Sequence, residues 1–324
     1  MKKILMLALS LCALAGLAPA GVTVATALAA DAGRFDYGLR PERIAENTWV
    51  VVGRREDFTT ENGGNIVNTA FVATGAGVVV IDTGSSKRYG EQLLAAIASV
   101  TDEPVAMVLN THFHPDHFLG NQAFPADRLF ALPATIRGIA ADGNAFAENL
   151  YRMSGDWMRG TEVVVPPNPL APGPLRVGRH DFEVLALGGH TEADLALYDR
   201  TTGVLFASDL VFNERAPTTP HAHLGNWLSA LDRLEATGAA LVVPGHGPVS
   251  RDGGAIAQTR AYLGWLERTL NDAAERGLDM TEVLALPVPA SIRRIALAEA
   301  EYRRSVVHLY PAAEQRALAR AGQR

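Results

Sequence analysis

"THFHPDH", residues 111–117, lies between an apolar run, "VAMVLN" (105–110), and a glycine. It holds His112, His114, Asp116 and His117 within six positions. Histidine and aspartate are good ligands for divalent metals, and histidine suits zinc in particular. His112 and His114 are two apart, so an extended chain points them the same way. Asp116 and His117 fall where the chain turns toward a helix. A single loop histidine is ordinarily just hydrogen-bonded. The run H-x-H-x-D-H after a buried strand points to metal coordination, with enough donors to feed two neighbouring ions if the rest of the chain supplies partners.

The partners sit further along. "GGHTEAD" carries His190, "FASDLVF" carries Asp209 and "VVPGHGPV" carries His246. Each follows a predicted strand, on a Gly-rich or polar turn. Strand ends gather at one edge of a sandwich, where a rigid frame can assemble a site from loops. Singly each signal is weak: a loop histidine is usually solvated, and Asp209 would serve as a helix cap. Together, in this order, they form one constellation.

The flanking pattern reads as two similar halves. "TWVVVG" (48–53), "IVNTAFVAT" (66–74) and "GVVVID" (77–82) are Val-rich strands bounded by Gly and Asn. Residues 86–100 have helical spacing, with Tyr89, Leu93, Leu94 and Ile97 on one face, and strand 105–110 follows. The second half starts near 181 with strands "DFEVLAL", "LALYDR" and "GVLFAS". A helix over 226–237 and strand "ALVVPG" complete it. A more helical, Pro-rich stretch (133–180) separates the halves. Residues 255–324 read as appended helices, with Leu263, Leu266 and Leu270 near one face, packed on the domain or offered to a second copy. This order fits an α/β architecture of two mixed sheets covered by helices on both outer faces.

Composition bounds the rest. The chain has 324 residues, 48% hydrophobic and 20% charged, with net charge −6 and a pI of about 5.9. No basic patch favours nucleic acid. Lys2 and Lys3 precede "ILMLALSLCALAGLA", and "ALAAD" (27–31) follows with Ala27 and Ala29 spaced for cleavage. This predicts a signal peptide over 1–30 and a periplasmic or secreted protein without a membrane anchor after cleavage; an uncleaved anchor is the alternative. The only cysteine is Cys12, so a mature chain would have neither disulfide nor thiolate ligand.

These motifs resemble those of the metallo-β-lactamase-fold hydrolases: H-x-H-x-D-H, then Gly-His-Thr, a strand-ending Asp and Pro-Gly-His-Gly, over residues 44–250. The resemblance implies a four-layer αβ/βα sandwich for 31–254, a helical extension over 255–324, and a dinuclear centre at one edge. It assigns His112, His114 and His190 to the first metal and Asp116, His117 and His246 to the second. Asp209 bridges them, and Asp82 of "VVVIDTG" braces the metal loop; a plain turn residue is the alternative for Asp82. Asp209 stands where a cysteine often serves in true zinc β-lactamases, as in glyoxalase II-like enzymes. Residues 64–93, 110–124 and 225–249 are most similar to exported zinc metallohydrolases that accompany bacterial quinoprotein dehydrogenase systems.

Two divalent ions, with zinc the default for a His-rich set, would sit about 3.5–4 Å apart and give a shared hydroxide near neutral pH. That hydroxide would attack the carbonyl of a small-molecule ester, thioester, amide, lactone or lactam. Asp116 is the group expected to orient it and shuttle a proton. Phosphodiesters are less favoured, for want of a basic cradle. Alternative readings are a true β-lactamase, a di-iron oxidoreductase (which normally needs a flavin or rubredoxin module) and a non-catalytic metal-binding factor in a quinoprotein pathway. Arg215, His221 and His223 lie in a loop that would overhang the pocket, and Asn62, Asn65 and Asn68 are further candidates near it.

Overall fold

Short apolar runs, buried on both faces at β3, β4 and β11, build two sheets in the computed structural model, which describes residues 34–321. The expected signal peptide (1–30) and Cys12 lie outside the described residues. The first sheet has seven strands in sequence order: β1 (Glu42–Ala45), β2 (Thr48–Val51), β3 (Thr69–Ala73), β4 (Val78–Ile81), β5 (Val105–Asn110), β6 (Leu129–Ala131) and β7 (Asn168–Pro169). Neighbours are antiparallel as far as β4 and parallel from β4 to β7. The second sheet has five: β8 (Gly173–Val177), β9 (His180–Leu187), β10 (Asp194–Asp199), β11 (Val204–Phe212) and β12 (Leu241–His246). Here β11 and β12 are parallel and the other pairs antiparallel. The helices are α1 (Lys87–Ala98), α2 (Pro115–Phe118), α3 (Pro133–Ser154), α4 (Leu224–Glu235), α5 (Gly254–Glu275), α6 (Met280–Leu284), α7 (Ala290–Arg293) and α8 (Ala298–Ala321).

The two-half reading holds in detail. β3–β4–α1–β5 and β10–β11–α4–β12 share one plan: an antiparallel pair, a helical crossover, then a strand laid parallel to the second. A parallel pair needs such a crossover, and the helix supplies it. Ser86 starts α1 by accepting from the Tyr89 N–H, which fixes one end of the first crossover.

Burial follows the period of each element. Val79 and Ile81 of β4 join Val50, Val72 and Leu109 against Phe182, Val184, Leu195, Leu197 and Phe206 of the second sheet. Val78 and Val80, equally buried, take the other face. On the outer side of the second sheet, Trp227, Leu231 and Leu234 of α4 meet Leu205 and Val211. Leu263, Leu266 and Leu270 of α5 and Tyr302 and Val306 of α8 belong to the same cluster. The α5 leucines are therefore packed inward, on the sandwich. Truncating any one to alanine would cost about 2–5 kcal/mol. Among the described residues no helix is long and apolar enough to cross a membrane.

Two details differ from the sequence reading. The strand expected over 66–74 begins at Thr69; Ile66 and Asn68 instead bind other loops. The helix expected over 226–237 begins at Leu224, because the His223 ring accepts from the Asn226 N–H and caps it.

Candidate metal centre

The sandwich brings the seven candidate side chains together from both sheets. β5 runs parallel to β4 and stops at Asn110, so the 111–117 loop leaves a carboxyl end. Pro115 opens the one-turn helix α2, with Asp116 in its first turn and His117 following; proline suits that position because its missing N–H would have no partner there. His190 lies on the turn between β9 and β10, and His246 ends β12. Asp209 lies inside β11, not at a strand end. The β11–β12 register shifts on both sides of Ser208, whose φ is 47°. A bulge of this kind re-aims the next side chain, and here that residue is Asp209.

Donor atoms fall into two groups, His112, His114, His190 and Asp209 in one and Asp116, His117 and His246 in the other, each within 4.8 Å. All seven residues are at most 9% exposed. His114 Nδ1 lies 3.1 Å from His112 Nε2 and 2.9 Å from His190 Nε2. Asp209 spans the groups: its Oδ2 is 3.3 Å from His190 Nε2 and 3.2 Å from His246 Nε2. Its Oδ1 faces His117 Nε2 at 3.2 Å, yet neither of those buried atoms makes a hydrogen bond. Leaving such atoms unsatisfied costs about 1–3 kcal/mol each. Asp116 Oδ2 is 3.4 Å from His246 Nε2 and 3.6 Å from His117 Nε2.

The far side of each ring decides which nitrogen is free. Asp82 Oδ2 lies 2.7 Å from His117 Nδ1, and the Ile66 carbonyl lies 2.8 Å from His246 Nδ1. Thr111 Oγ1 is 3.1 Å from His112 Nδ1, and His221 Nδ1 is 2.8 Å from His114 Nε2. Anchoring the outer nitrogen orients the inner one and sets its tautomer, as metal-binding histidines require. His190 Nδ1 has no such partner; its loop is held through Asp194, which accepts from the His190 and Thr191 N–H groups and the Thr191 hydroxyl. Asp82 also accepts from the Thr111 N–H and hydroxyl, each at 2.8 Å. Its φ of 60° is a strained setting that an Asp tolerates better than most residues.

Charges follow this geometry. Burial drives the pKa values of His112 and His114 well below the usual range and that of His190 to about 3. Burial also opposes charge on His117, but Asp209, Asp116 and Asp82 outweigh it and raise its pKa well above 6.5. Asp209 is held well below the normal carboxylate range despite burial, by His246 and His117. Burial pushes Asp194 up to about 7. Neutral His112, His114 and His190 beside the ionised Asp209 are the donor chemistry that a divalent cation needs, and a cation between His117 Nε2 and Asp209 Oδ1, neither of which is hydrogen-bonded, would take the place of the His117 proton. The residues fit a divalent metal ion.

A profile of the metallo-beta-lactamase superfamily matches residues 62–246. The chain belongs to that superfamily. A metallo-beta-lactamase from Pontibacter korlensis is similar in structure, with a TM-score of 0.55 at 26% identity, covering 70% of this chain and 99% of that one. A linear primary-alkylsulfatase from a Pseudomonas species is 25% identical over 215 residues, 54% of this chain and 40% of the relative. An atrochrysone carboxyl ACP thioesterase from Aspergillus fumigatus is 25% identical over 182 residues, 56% of this chain and 51% of the relative. The chain thus spans about half or less of the length of these two curated relatives. As in other members of the superfamily, two mixed sheets are packed with helices; this chain appends α5–α8 at its C-terminal end.

A pocket of ≈ 220 Å³ opens over the centre, lined by His114, Asp116, Asp209 and His246, with Phe58, Phe146, Leu150 and Met153 as apolar walls. Arg215 and Arg304 also line it. Arg215 is buried with Thr218 at 3.2 Å and Glu301 at 3.6 Å. Arg304, from α8, pairs with Glu301 and Asp57, each at 2.7 Å. Of the overhanging loop candidates, His221 thus touches a candidate ligand, Arg215 is engaged in an ion-pair network, and His223 caps α4. Asn68 ties the β12 loop down by donating to the carbonyls of Pro244 and Gly247, whereas Asn62 closes its own turn onto the Thr59 and Gly64 N–H groups. Thr111, Asp194 and Ser208 escaped the sequence reading. Only Asp194, inside the quoted "GGHTEAD", carried a signal: an acid a few residues after a turn histidine.

Proposed function

We propose that this chain is a metal-dependent hydrolase that holds two divalent ions. His112, His114 and His190 would bind one, Asp116, His117 and His246 the other, and Asp209 both. The observation that carries this is the convergence of the donor atoms in two adjacent groups with outer nitrogens braced by Thr111, His221, Asp82 and the Ile66 carbonyl. When bound, such ions supply hydroxide near neutral pH and Lewis acidity toward the scissile group. The chain's own residues do the rest. Asp116 lines the pocket beside His246 and His117 and is placed to hold and pass a proton. Phe58, Phe146, Leu150 and Met153 exclude water and accept an apolar body, which supports a small acyl ester, thioester, lactone or lactam as substrate.

A donor set of His and Asp without Cys supports zinc and the glyoxalase II-like arrangement. The exported, quinoprotein-associated setting rests on the quoted sequence runs and the leader. Metal-loaded protein should turn over at least one of a thioester, an aryl ester, a lactone, a cephalosporin or a sulfate ester, and chelation should abolish that turnover. A rate on all five no higher than in chelated protein would defeat the proposal. Mass spectrometry of the exported protein should find an N-terminus near Ala30 or Asp31; residues 1–29 still attached would defeat the export reading.

A further inference from the structure

We infer that His221 is a positioning residue for metal binding: its Nδ1 accepts the proton of His114 Nε2 and so keeps His114 Nδ1 bare and aimed into the first donor group. This rests on the proposed metal centre and adds to it a residue from a different loop, 107 positions along the chain.

The tautomer of each ring decides which nitrogen can ligate. His114 Nδ1 is the nitrogen that faces His112 Nε2 and His190 Nε2, at 3.1 and 2.9 Å. A neutral imidazole carries one N–H. A ligating nitrogen must be without it, so the proton belongs on Nε2. The atom 2.8 Å from Nε2 is His221 Nδ1, which must then be the acceptor, with the His221 proton on its own Nε2. The opposite tautomer would aim an N–H into a cluster of ring nitrogens. His112, His117 and His246 take their braces from residues buried in the frame: Thr111, Asp82 and Ile66. His114 alone is braced by a residue at the pocket mouth, one more exposed than any of the seven.

The His221 ring is not free to wander. Its centroid lies 5.3 Å from Phe113 and 6.2 Å from Phe146. The next N–H but one, that of His223, donates to the Gly189 carbonyl at 2.8 Å. The loop that supplies His221 is thereby tied to the turn that supplies His190. Two donors of one group share a support that no sequence spacing reveals.

Losing an outer partner of this kind costs about 10–100-fold in metal affinity. The test uses the full chain with Zn2+ in competition against a chromophoric chelator. His221→Phe fills the ring's space and accepts nothing. His221→Asn retains an acceptor close to the place of Nδ1. One of the two zinc dissociation constants should rise about 10–100-fold in His221→Phe and recover most of that loss in His221→Asn. The melting temperature of the metal-stripped chains should not move. Unchanged affinity in His221→Phe, or an Asn variant as weak as the Phe variant, overturns the inference while leaving the metal centre standing. A wild-type chain that binds no zinc removes both.

Discussion

Replacing Gly245 by alanine measures how closely β12 is fitted to Asp209. A Cβ at this position would lie 1.8 Å from Asp209 Oδ1 and 2.7 Å from both the Asp209 nitrogen and the Ser208 carbonyl carbon. Reaching even a 3.0 Å contact from 1.8 Å needs a shift of about 1.2 Å. The two 2.7 Å contacts are to backbone, so β11 and β12 must also move apart, and either shift displaces the carboxylate from its place between the two donor groups. Misplacement on the order of 1 Å costs about a hundredfold in rate. Gly245→Ala should therefore lose at least about that factor in kcat/KM and one bound metal. The overpacking itself should cost about 1–3 kcal/mol of stability. Gly225→Ala is the control. Its Cβ would meet nothing nearer than 3.7 Å, and in α4 it should stabilise by about 0.5–1 kcal/mol with turnover unchanged. Melting temperature, metal content and turnover come from one preparation of each variant. A Gly245→Ala chain with both metals and normal turnover would refute the bridging geometry.

Further outcomes follow from the same framework. Asp82→Asn leaves one amide oxygen for four donors: the Thr111 N–H, the Thr111 hydroxyl, the Ser208 hydroxyl and His117 Nδ1. It should lose about 1–3 kcal/mol and weaken one metal about 10–100-fold, read by denaturation and chelator competition; wild-type values in both would contradict the brace. Metal-stripped protein should be most stable near pH 6.5. Below that, the unfolded chain protonates His112, His114 and His190, whose folded pKa values are depressed by burial, so stability falls as pH falls. Above it, His117 remains protonated only in the fold. Burial opposes that charge, but Asp209, Asp116 and Asp82 prevail, so its contribution is lost as pH rises through its folded pKa. Denaturant titrations giving a flat profile between about pH 5 and 8 would contradict this balance.

What was legible in the chain was local chemistry. "THFHPDH" announces itself because four donors in one loop have no common structural use, and short apolar runs mark β4, β5 and β11 without help from tertiary context. The supports were less legible, because they depend on contacts across the fold. Ser208 acts through a bulge that turns Asp209 inward, and no pattern in "FASDLVF" encodes the bulge. Thr111 reaches Ser208, 97 residues away, at 2.8 Å. Arg304 enters the pocket wall from α8, which reads in sequence as a helix like any other. The short strands β6 and β7 carry no readable period in two or three residues; β6 forms on the parallel edge of β5, and β7 on the edge of β6.

Seven side chains are proposed to make one centre for two metals. Equilibrium dialysis of the chelator-stripped chain against excess Zn2+, with elemental analysis of the folded protein, tests it most directly. Two zinc ions per chain are expected, reduced to one in both His112→Ala and His246→Ala. Saturation of the wild-type chain at one ion, or at none, would contradict it.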